Sequence, residues 1–410
     1  MTHGHDFLTV GDGAYQLEVP DLGIVLNVDR LRRRSDELIG ELTVRCDLPG
    51  AQRVSDEGVT VAADLNLSSV RARQDRASLL AKRAQTGDAF DWFGTVEYFC
   101  QRVIAAERVG QPAVLLSDLA PPTADDTVLI EGRPMLLKHP MMDFGDGGSL
   151  KSYFALWHAG LLAQRGVRVG YFDWEFDGAE HRARLHGLFG DVMPPIYYVR
   201  CEHAITHEAD RLRRIVLAHS LEYGVVDSVA VACGGRPEDA EVAGAFFRVL
   251  RQLRIGTLLI AHINRSETGD QKPFGSTFWS NYSRATWFIK RSDADADDRV
   301  VTVAMTNRKA NTGPLRPALG FRVEFGGDRV TIQRTDLAQH DDFAGQLPLW
   351  QRIVGTLRAG PMTYAGLAEE LGAKVASIER AVQRSKGRTF TRVDGADGIA
   401  RIALVERRSA

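Results

Sequence analysis

The sequence has few of the features that mark secreted or membrane-spanning proteins. Its 410 residues include only four cysteines, Cys46, Cys100, Cys201 and Cys233, with no C-x-x-C spacing among them. This scatter is typical of reduced thiols rather than of disulfides or zinc ligands. No apolar run approaches the roughly 18 residues of a membrane-spanning helix, and the first residues lack the basic-then-apolar pattern of a secretory signal. We therefore expect a cytoplasmic protein without membrane contact.

The sequence also lacks an excess of charge of either sign, since its formal net charge is only −2. Any binding of nucleic acid must therefore come from a local patch. The composition, 44% hydrophobic and 25% charged, is that of a globular protein, and the length is sufficient for two or three domains. The turn-forming stretch Ala120-Pro121-Pro122-Thr123 marks a boundary. We predict an N-terminal mixed α/β unit with a helical linker (1–120), an ATPase-like core (121–338) and a C-terminal domain (345–410).

A glycine-rich stretch follows the apolar run Met135-Leu136-Leu137 and precedes an apolar helical pattern that begins at Tyr153. A loop of this kind binds phosphates through bare backbone N–H groups and the helix dipole. The pattern G-x-x-x-x-G-K-[ST] places a lysine on the β- and γ-phosphates and a hydroxyl on magnesium. We assign the following residues to ATP binding, with Ser152 also a magnesium ligand: Gly145, Asp146, Gly147, Gly148, Ser149, Leu150, Lys151 and Ser152.

Two interpretations of this stretch remain open. Leu150 stands where the pattern has glycine, and its Cβ predicts either a different loop path or crowding of the nucleotide. The alternative to phosphate binding is an ordinary helix capped by Ser149.

From about Val128 to Thr335, apolar strands alternate with amphipathic helices, which predicts a parallel sheet covered on both faces. Ligands then bind beyond the carboxyl ends of the strands. Three further segments predict antiparallel strands that complete the sheet, the last two joined by a hairpin at Gly326-Gly327-Asp328. The expected parallel strands are Val167–Phe172, Pro195–Val199, Gly224–Val226 and Thr257–Ala261, and the antiparallel ones are Arg299–Met305, Phe321–Phe325 and Arg329–Ile332.

Carboxylates fall at two of the predicted strand ends. Asp227 is placed to bind magnesium together with Ser152, although a turn or capping role is the alternative. Glu175 is placed to polarise the water that attacks the γ-phosphate. Asp173 and Asp177 compete with Glu175 for this role, and a solvated acidic loop is the alternative.

Three residues further along carry weaker predictions of catalytic roles. His262 follows a strand and is placed to sense the γ-phosphate or to couple it to the following loop; a purely structural histidine is the alternative. Arg284 is placed to reach a phosphate or to pair with a surface carboxylate. Lys309, with Arg308 as its competitor, is placed to stabilise transition-state charge on a neighbouring subunit's nucleotide, or it belongs to a solvated basic turn.

The segment between His262 and Arg284 has the composition of a DNA-contacting loop. The polar stretch Asn264 to Pro273 precedes Phe278 and Trp279, which are placed either to stack on bases or to be buried at the start of a helix.

In the N-terminal unit, alternation predicts strands at Tyr15–Val19 and Leu38–Val44. Ser68 or Ser69 is expected to cap a helix that runs to about Ala84. A helical period follows from Asp88 to Gly110. This unit has no assigned function.

The last 64 residues predict three helices, Leu347–Ala359, Tyr364–Leu371 and Val375–Ser385, followed by two strands. This is the pattern of a winged helix. Eleven Lys and Arg against six Asp and Glu give the segment a net charge of +5. We predict phosphate contacts by four residues on or beside the third helix, Lys374, Arg380, Arg384 and Lys386. A winged helix used for protein contact is the alternative.

Together, these features resemble the RecA-like ATPases, most closely plasmid RepA-type and replicative hexameric helicases. The resemblance rests on the glycine-rich loop, Glu175, Val226-Asp227-Ser228, Ala261-His262, Gly275-Ser276 with Arg284, and Lys309-x-Asn311-x-Gly313. The resemblance implies a RecA fold, ATP with Mg²⁺, a ring-like homo-oligomer, and single-stranded DNA in a central channel, with the winged helix on duplex DNA or a partner. It also implies that Glu175 is the catalytic glutamate, Asp227 the magnesium aspartate and Lys309 a finger acting in trans. Asn311 stands where ring helicases often carry an arginine finger.

The expected function is therefore a DNA-associated oligomeric ATPase, such as a helicase or DNA-remodelling motor of replication, recombination or mobile-element biology. A DNA-binding regulator or scaffold with a degenerate nucleotide site is the alternative, motivated by Leu150. A kinase-like phosphotransferase is a third possibility.

Overall fold

The computed structural model describes residues 4–405 except 12, 55–58, 87–88, 111–112, 122, 124–125, 264–272, 274, 276, 294–298, 346 and 396–397. The chain divides into two compact units, Met1–Pro121 and Pro122–Ala410. The finer boundaries expected from the sequence stay predictions. Among the described residues, no helix is long and apolar enough to cross a membrane.

The first unit is a five-stranded antiparallel sheet with two helices, whose strands pair in chain order. Buried and partly exposed residues alternate along its second and fourth strands, so one face of the sheet forms an apolar core with the helices. Ser69 caps the first helix by accepting from the Ala72 N–H, as predicted. The strands are β1 (Asp6–Gly11), β2 (Ala14–Val19), β3 (Ile24–Arg34), β4 (Glu37–Cys46) and β5 (Val59–Asn66), and the helices α1 (Val70–Ala84) and α2 (Trp92–Val109).

The alternation of apolar and polar residues in the sequence predicted only part of this sheet. The strands expected at Tyr15–Val19 and Leu38–Val44 are confirmed as β2 and β4, and both helices are confirmed. β1, β3 and β5 were not expected, and the Arg32-Arg33-Arg34 run lies in β3.

The second unit is built on a nine-stranded sheet in the order β10-β9-β11-β12-β8-β13-β14-β15-β16. The first six strands in this order are parallel to one another, and the last three are added antiparallel. The strands are β8 (Pro140–Gly145), β9 (Val169–Asp173), β10 (Ile196–Arg200), β11 (Tyr223–Asp227), β12 (Gly256–His262), β13 (Ala285–Arg291), β14 (Val300–Ala310), β15 (Leu319–Gly326) and β16 (Arg329–Thr335).

Helices cover both faces of this sheet, and each face has its own apolar core. One strand, β12, separates β8 from β11. This strand order, with the glycine-rich loop after β8, confirms the expected RecA-like α/β core with its mostly parallel sheet. The helices are α3 (Lys151–Gln164), α4 (Gly178–Phe189), α5 (Ile205–Ala218), α6 (Val229–Ala232), α7 (Ala240–Leu253) and α8 (Thr277–Tyr282).

A short hairpin, β6 (Thr127–Ile130) and β7 (Arg133–Leu136), precedes β8. Arg133 in β7 makes a two-pronged ion pair with Asp143 in β8, and both side chains are fully buried. Burial raises the pKa of Asp143, and the Arg133 guanidinium opposes this rise. The hairpin is thereby tied to the strand that leads into the glycine-rich loop.

The C-terminal region contains the expected three helices and hairpin around a small apolar core. Thr363 caps the middle helix by accepting from the Gly366 N–H. The assignment of these elements to a winged-helix domain stays a prediction. After the short α9 (Asp341–Ala344) they are α10 (Leu349–Leu357), α11 (Tyr364–Glu370), α12 (Val375–Arg384), β17 (Phe390–Asp394) and β18 (Ala400–Leu404).

Candidate nucleotide-binding site

The glycine-rich loop joins the carboxyl end of β8 to the first turn of α3. A Cβ on Gly145 would lie 2.2 Å from the carbonyl oxygen of Ile289, so this position requires glycine. Gly147 and Gly148 face open space, and Gly148 has a φ of +75°, in the left-handed region. The loop therefore packs tightly at its base and leaves its middle accessible to a ligand.

Lys151 folds back over this loop. Its ammonium donates to the carbonyl oxygens of Gly145 (3.0 Å) and Asp146 (2.6 Å) and to Ser149 Oγ (3.3 Å). Burial lowers the pKa of Lys151, while the Asp227 carboxylate opposes this shift most strongly. A cation is thus held where the loop N–H groups would receive phosphates.

Leu150 adopts the conformation for which the pattern uses glycine. It has φ 65° and ψ 21° and directly precedes α3, and its side chain is partly buried against the apolar core. A left-handed L-residue costs about 1 kcal/mol. The helix starts at Lys151, directly after this left-handed residue. Ser149 does not cap the helix with its side chain, because its hydroxyl donates to Asp146 O at 2.8 Å.

Asp227 ends β11 and is buried beside the first turn of α3. The Tyr171 hydroxyl donates to Asp227 Oδ2 at 2.7 Å, whereas Oδ1 makes no hydrogen bond of ordinary geometry with any described residue. Burial raises the pKa of Asp227, and the nearby hydroxyl groups of Tyr171 and Ser152 oppose this rise. A buried carboxylate oxygen without a partner is costly unless a ligand satisfies it.

These groups fit magnesium. Mg²⁺ is usually bound by one or two carboxylates together with water and substrate phosphates. Ser152 and Asp227 supply one hydroxyl and one carboxylate at the end of the phosphate loop. The unpartnered Oδ1 of Asp227 is the observation that supports this fit.

Glu175 lies just past the end of β9 with its side chain exposed. Its backbone N–H donates to Asp173 Oδ1 at 3.0 Å, and its carboxylate accepts a hydrogen bond from the Ser228 hydroxyl. Since Ser228 follows Asp227, the two acidic residues are neighbours across β9 and β11.

The competing carboxylates have other roles. Asp173 is buried and accepts the N–H groups of Glu175 and Phe176 and the Tyr198 hydroxyl. Burial alone would raise its pKa, but these bonds, together with one from His181, lower the pKa of Asp173 to about 2. Asp177 caps α4 by accepting from the Glu180 N–H. Asp173 is therefore taken up by buried hydrogen bonds, and Asp177 is taken up by the helix cap.

His262 ends β12, and its backbone is in register with Gly145 on the adjacent strand. Its side chain is exposed. It therefore lies on the same edge of the sheet as the loop, Asp227 and Glu175.

Arg284 and Lys309 lie at the opposite edge. The Arg284 N–H donates to Pro140 O at 2.8 Å, at the start of β8, and six residues of β8 separate this point from the loop, a span of about 17 Å. The Lys309 ammonium donates to the carbonyl oxygens of Ser280, Asn281 and Ser283 at 2.7–2.8 Å. Burial lowers the pKa of Lys309. Within a single chain, Lys309 therefore caps the C-terminal end of α8.

The aromatic residues before Arg284 divide into two kinds. Trp279 is buried against Phe246 and Phe247, and its Nε1 donates to Pro237 O at 2.7 Å. It is therefore part of the core and unavailable to DNA bases. Phe278 is partly exposed and stacks on Tyr282. The polar stretch 264–272 lies outside the described residues, as does Ser276.

In the C-terminal region, the cationic residues predicted to contact DNA are exposed. None of the four makes an ion pair with a described residue. Arg380 and Arg384 line a cavity of about 530 Å³ with Trp350 of α10. Trp350 was missed, because its position in the sequence fits a helix core equally well.

Two neighbouring hydroxyl groups also contact the site, and the sequence assigned a role to neither of them. Tyr171 and Ser228 are hydrogen-bonded to the two candidate carboxylates, Asp227 and Glu175. Tyr171 reads as an ordinary buried strand residue, and only the register of β9 against β11 brings its hydroxyl to Asp227.

Comparison with known proteins adds little detail. No family model and no curated protein matches the chain. Among solved structures it is similar to a KaiC-like protein of the hyperthermophilic archaeon Pyrococcus horikoshii OT3, with 15% identity and a TM-score of 0.38, covering 50% of this chain and 93% of that one. It is also similar to the ATPase domain of G40P, with 12% identity and a TM-score of 0.37, covering 45% and 81%. Both scores are low, so the fold assignment relies on the strand order and the loop.

Proposed function

We propose that this chain is a magnesium-dependent ATPase that assembles into a ring-like homo-oligomer and acts on DNA as a helicase or remodelling motor in replication, recombination or mobile-element biology. The observation that supports the ATPase proposal is that three groups lie together at one edge of the sheet. These are Lys151 on its glycine-rich loop, the unpartnered Oδ1 of Asp227 and the exposed Glu175.

Each residue has a separate task. The N–H groups of the loop and of the first turn of α3 bind phosphates. Lys151 exchanges the Gly145 and Asp146 carbonyls for β- and γ-phosphate oxygens. Ser152 and Asp227 hold magnesium, which neutralises phosphate charge when bound. Glu175 orients the attacking water and accepts its proton, and His262 contacts the γ-phosphate.

Arg284 and Lys309 would act only on the nucleotide of a neighbouring subunit, because their edge of the sheet is opposite the loop. Lys309 would first have to release the three carbonyls that it binds. Arg308, exposed beside it, remains the competing candidate.

DNA binding is proposed for the surface around α12. Lys374, Arg380, Arg384 and Lys386 supply cations that pair with no acidic residue in the described part of the chain, and Trp350 supplies an aromatic face beside two of them. Cations favour phosphates, and an aromatic face favours an unstacked base. The occupant that fits both features is single-stranded DNA or a frayed duplex end.

The ATPase is tested by measuring hydrolysis with and without single-stranded DNA. We expect Lys151→Ala to abolish nucleotide binding and Glu175→Gln to retain binding but lower turnover by about 100-fold or more. Glu180→Gln makes the same change at an exposed position in the first turn of α4 and serves as the matched control. Turnover unaffected by Lys151→Ala would overturn the proposal.

DNA binding is tested separately by the salt dependence of affinity. Arg384→Ala should weaken binding and lower the slope of log K against log salt by about 1, as for one lost phosphate contact. Arg71→Ala, an exposed arginine of α1, is the control. An unchanged slope in Arg384→Ala would exclude this surface.

A second candidate function is a nucleotide-dependent switch or DNA-binding scaffold without turnover. Leu150 motivates it, because the residue keeps a strained conformation beside the phosphate loop. ATP binding without hydrolysis, equal in wild type and Glu175→Gln, would favour the switch. DNA binding with no ATP binding would favour the scaffold.

A further inference from the structure

Two hydroxyl groups make hydrogen bonds between neighbouring strands, each to one of the two proposed functional carboxylates. Tyr171 in β9 donates to Asp227 at the end of β11, with an O–O distance of 2.7 Å. Ser228, just past β11, donates to Glu175, just past β9. Each carboxylate is therefore held by a hydroxyl that comes from the strand carrying the other.

Building on the proposed ATPase function, we propose that Tyr171 and Ser228 are positioning residues with separable roles. Tyr171 orients Asp227 for the divalent cation, and Ser228 orients Glu175 for the attacking water. The two hydroxyls thereby fix the spacing between metal and water-activating group.

The case for Tyr171 follows from which oxygen it occupies. Its bond takes Oδ2 of Asp227 and leaves Oδ1 as the oxygen without a partner. Tyr171 is only 1% exposed, and its ring packs against the His181 ring with centroids 4.5 Å apart. A hydroxyl on a ring held in this way sets the rotation of the carboxylate. Such second-layer partners typically account for 10–100-fold in metal affinity.

The case for Ser228 follows from the exposure of its partner. Glu175 has its backbone fixed by Asp173 Oδ1, but its side chain is exposed and has several rotamers available. Ser228 is 1% exposed, so its hydroxyl has a fixed location. One hydrogen bond from a fixed donor selects the rotamer that keeps the glutamate beside Asp227. Without it the carboxylate is present but less often in place.

The two roles predict different measurements on the full chain. Binding of a fluorescent ATP analogue is titrated with Mg²⁺, and turnover is measured at saturating Mg²⁺ and ATP. Tyr171→Phe should raise the Mg²⁺ concentration for half-maximal binding by about 10-fold or more, and leave binding in EDTA unchanged because the phosphate loop is intact. Ser228→Ala should lower kcat by about 10-fold with the Mg²⁺ midpoint unchanged.

Tyr223→Phe is the matched control. Tyr223 is also fully buried in the sheet, at the start of β11, but among the residues that the structure describes its hydroxyl reaches only Met141 Sδ, at 3.9 Å. It should not move the Mg²⁺ midpoint. Equal midpoint shifts in Tyr171→Phe and Tyr223→Phe would overturn the inference, since they would indicate general loosening of the sheet.

The remaining outcomes also test the roles of Tyr171 and Ser228. A wild-type midpoint in Tyr171→Phe would exclude its role, and a wild-type kcat in Ser228→Ala would exclude the other. If wild-type protein binds nucleotide without Mg²⁺ dependence, the proposed function fails first, and the inference fails with it. Normal Mg²⁺-dependent turnover in wild type and both variants would contradict only the inference.

Discussion

At the carboxyl-end edge of the central sheet, Asp227 Oδ1 has no hydrogen-bond partner among the described residues and the Glu175 side chain is exposed. At the opposite edge, the Lys309 ammonium donates to three carbonyl oxygens. Both edges therefore carry charged residues, but they use them differently. A buried polar group with unused bonding capacity destabilises the fold and marks a ligand site, while one whose capacity is filled holds the fold together.

Lys151 stands between these two cases. Its hydrogen-bond acceptors in the described part of the chain are all oxygens of its own loop, so a phosphate can replace them without disturbing the rest of the sheet. Lys309 instead binds the end of a helix, and its release would leave three carbonyls of that helix end unsatisfied.

The largest effect is expected where the loop meets the sheet. Gly145→Ala would place a Cβ 2.2 Å from the Ile289 carbonyl oxygen, which belongs to β13 and cannot move freely. We expect a loss of about 3 kcal/mol in the free energy of unfolding, measured by urea denaturation. Gly147→Ala faces open space and should keep wild-type stability. Equal stabilities would mean that the base of the loop is not tightly packed.

An intermediate effect is expected at the opposite edge. Lys309→Met would leave the carbonyls of Ser280, Asn281 and Ser283 without their donor, at a cost of about 2 kcal/mol in stability. Arg308→Met, beside it, removes only a contact of the guanidinium with the Phe288 ring and should cost less than about 1 kcal/mol. Wild-type stability in Lys309→Met would show that the ammonium is free to act elsewhere, as a finger in trans requires.

The smallest effect is expected at Leu150, and its sign carries the information. Leu150→Ala and Leu150→Gly both lose the packing of the leucine, but only glycine removes the cost of a φ of 65°. The Leu150→Gly variant should therefore have a free energy of unfolding about 1 kcal/mol higher than that of Leu150→Ala. This is the reverse of the order of the two residues inside a helix. Thermal unfolding of the pair measures this difference. Alanine more stable than glycine would mean that the loop is not left-handed at this residue.

Much of the core could be predicted because the periodicity there is strong. β9, β11 and β12 are short apolar runs between amphipathic helices, and the loop has a recognisable spacing. β13 is absent from the expected strands, because its apolar run is short and ends in the partly buried Lys290 and Arg291. Short apolar runs do not distinguish strands from other buried segments.

The candidate site could be predicted only as a set of alternatives. Three carboxylates fall within five residues at Asp173, Glu175 and Asp177, and the sequence does not show which are taken up by backbone N–H groups. Tyr171 lies 56 residues from Asp227 in the chain. Its contact depends on strand register, which no local pattern encodes. Trp279 had two interpretations, and burial decided between them.

The buried pair of Arg133 and Asp143 has a consequence for local unfolding. If the small β6–β7 hairpin opened alone, Asp143 would remain in an apolar core without its counter-charge, at a cost of several kcal/mol. The hairpin should therefore open only together with β8. Despite its eight strand residues, its paired amide hydrogens should exchange with solvent as slowly as those of the central strands.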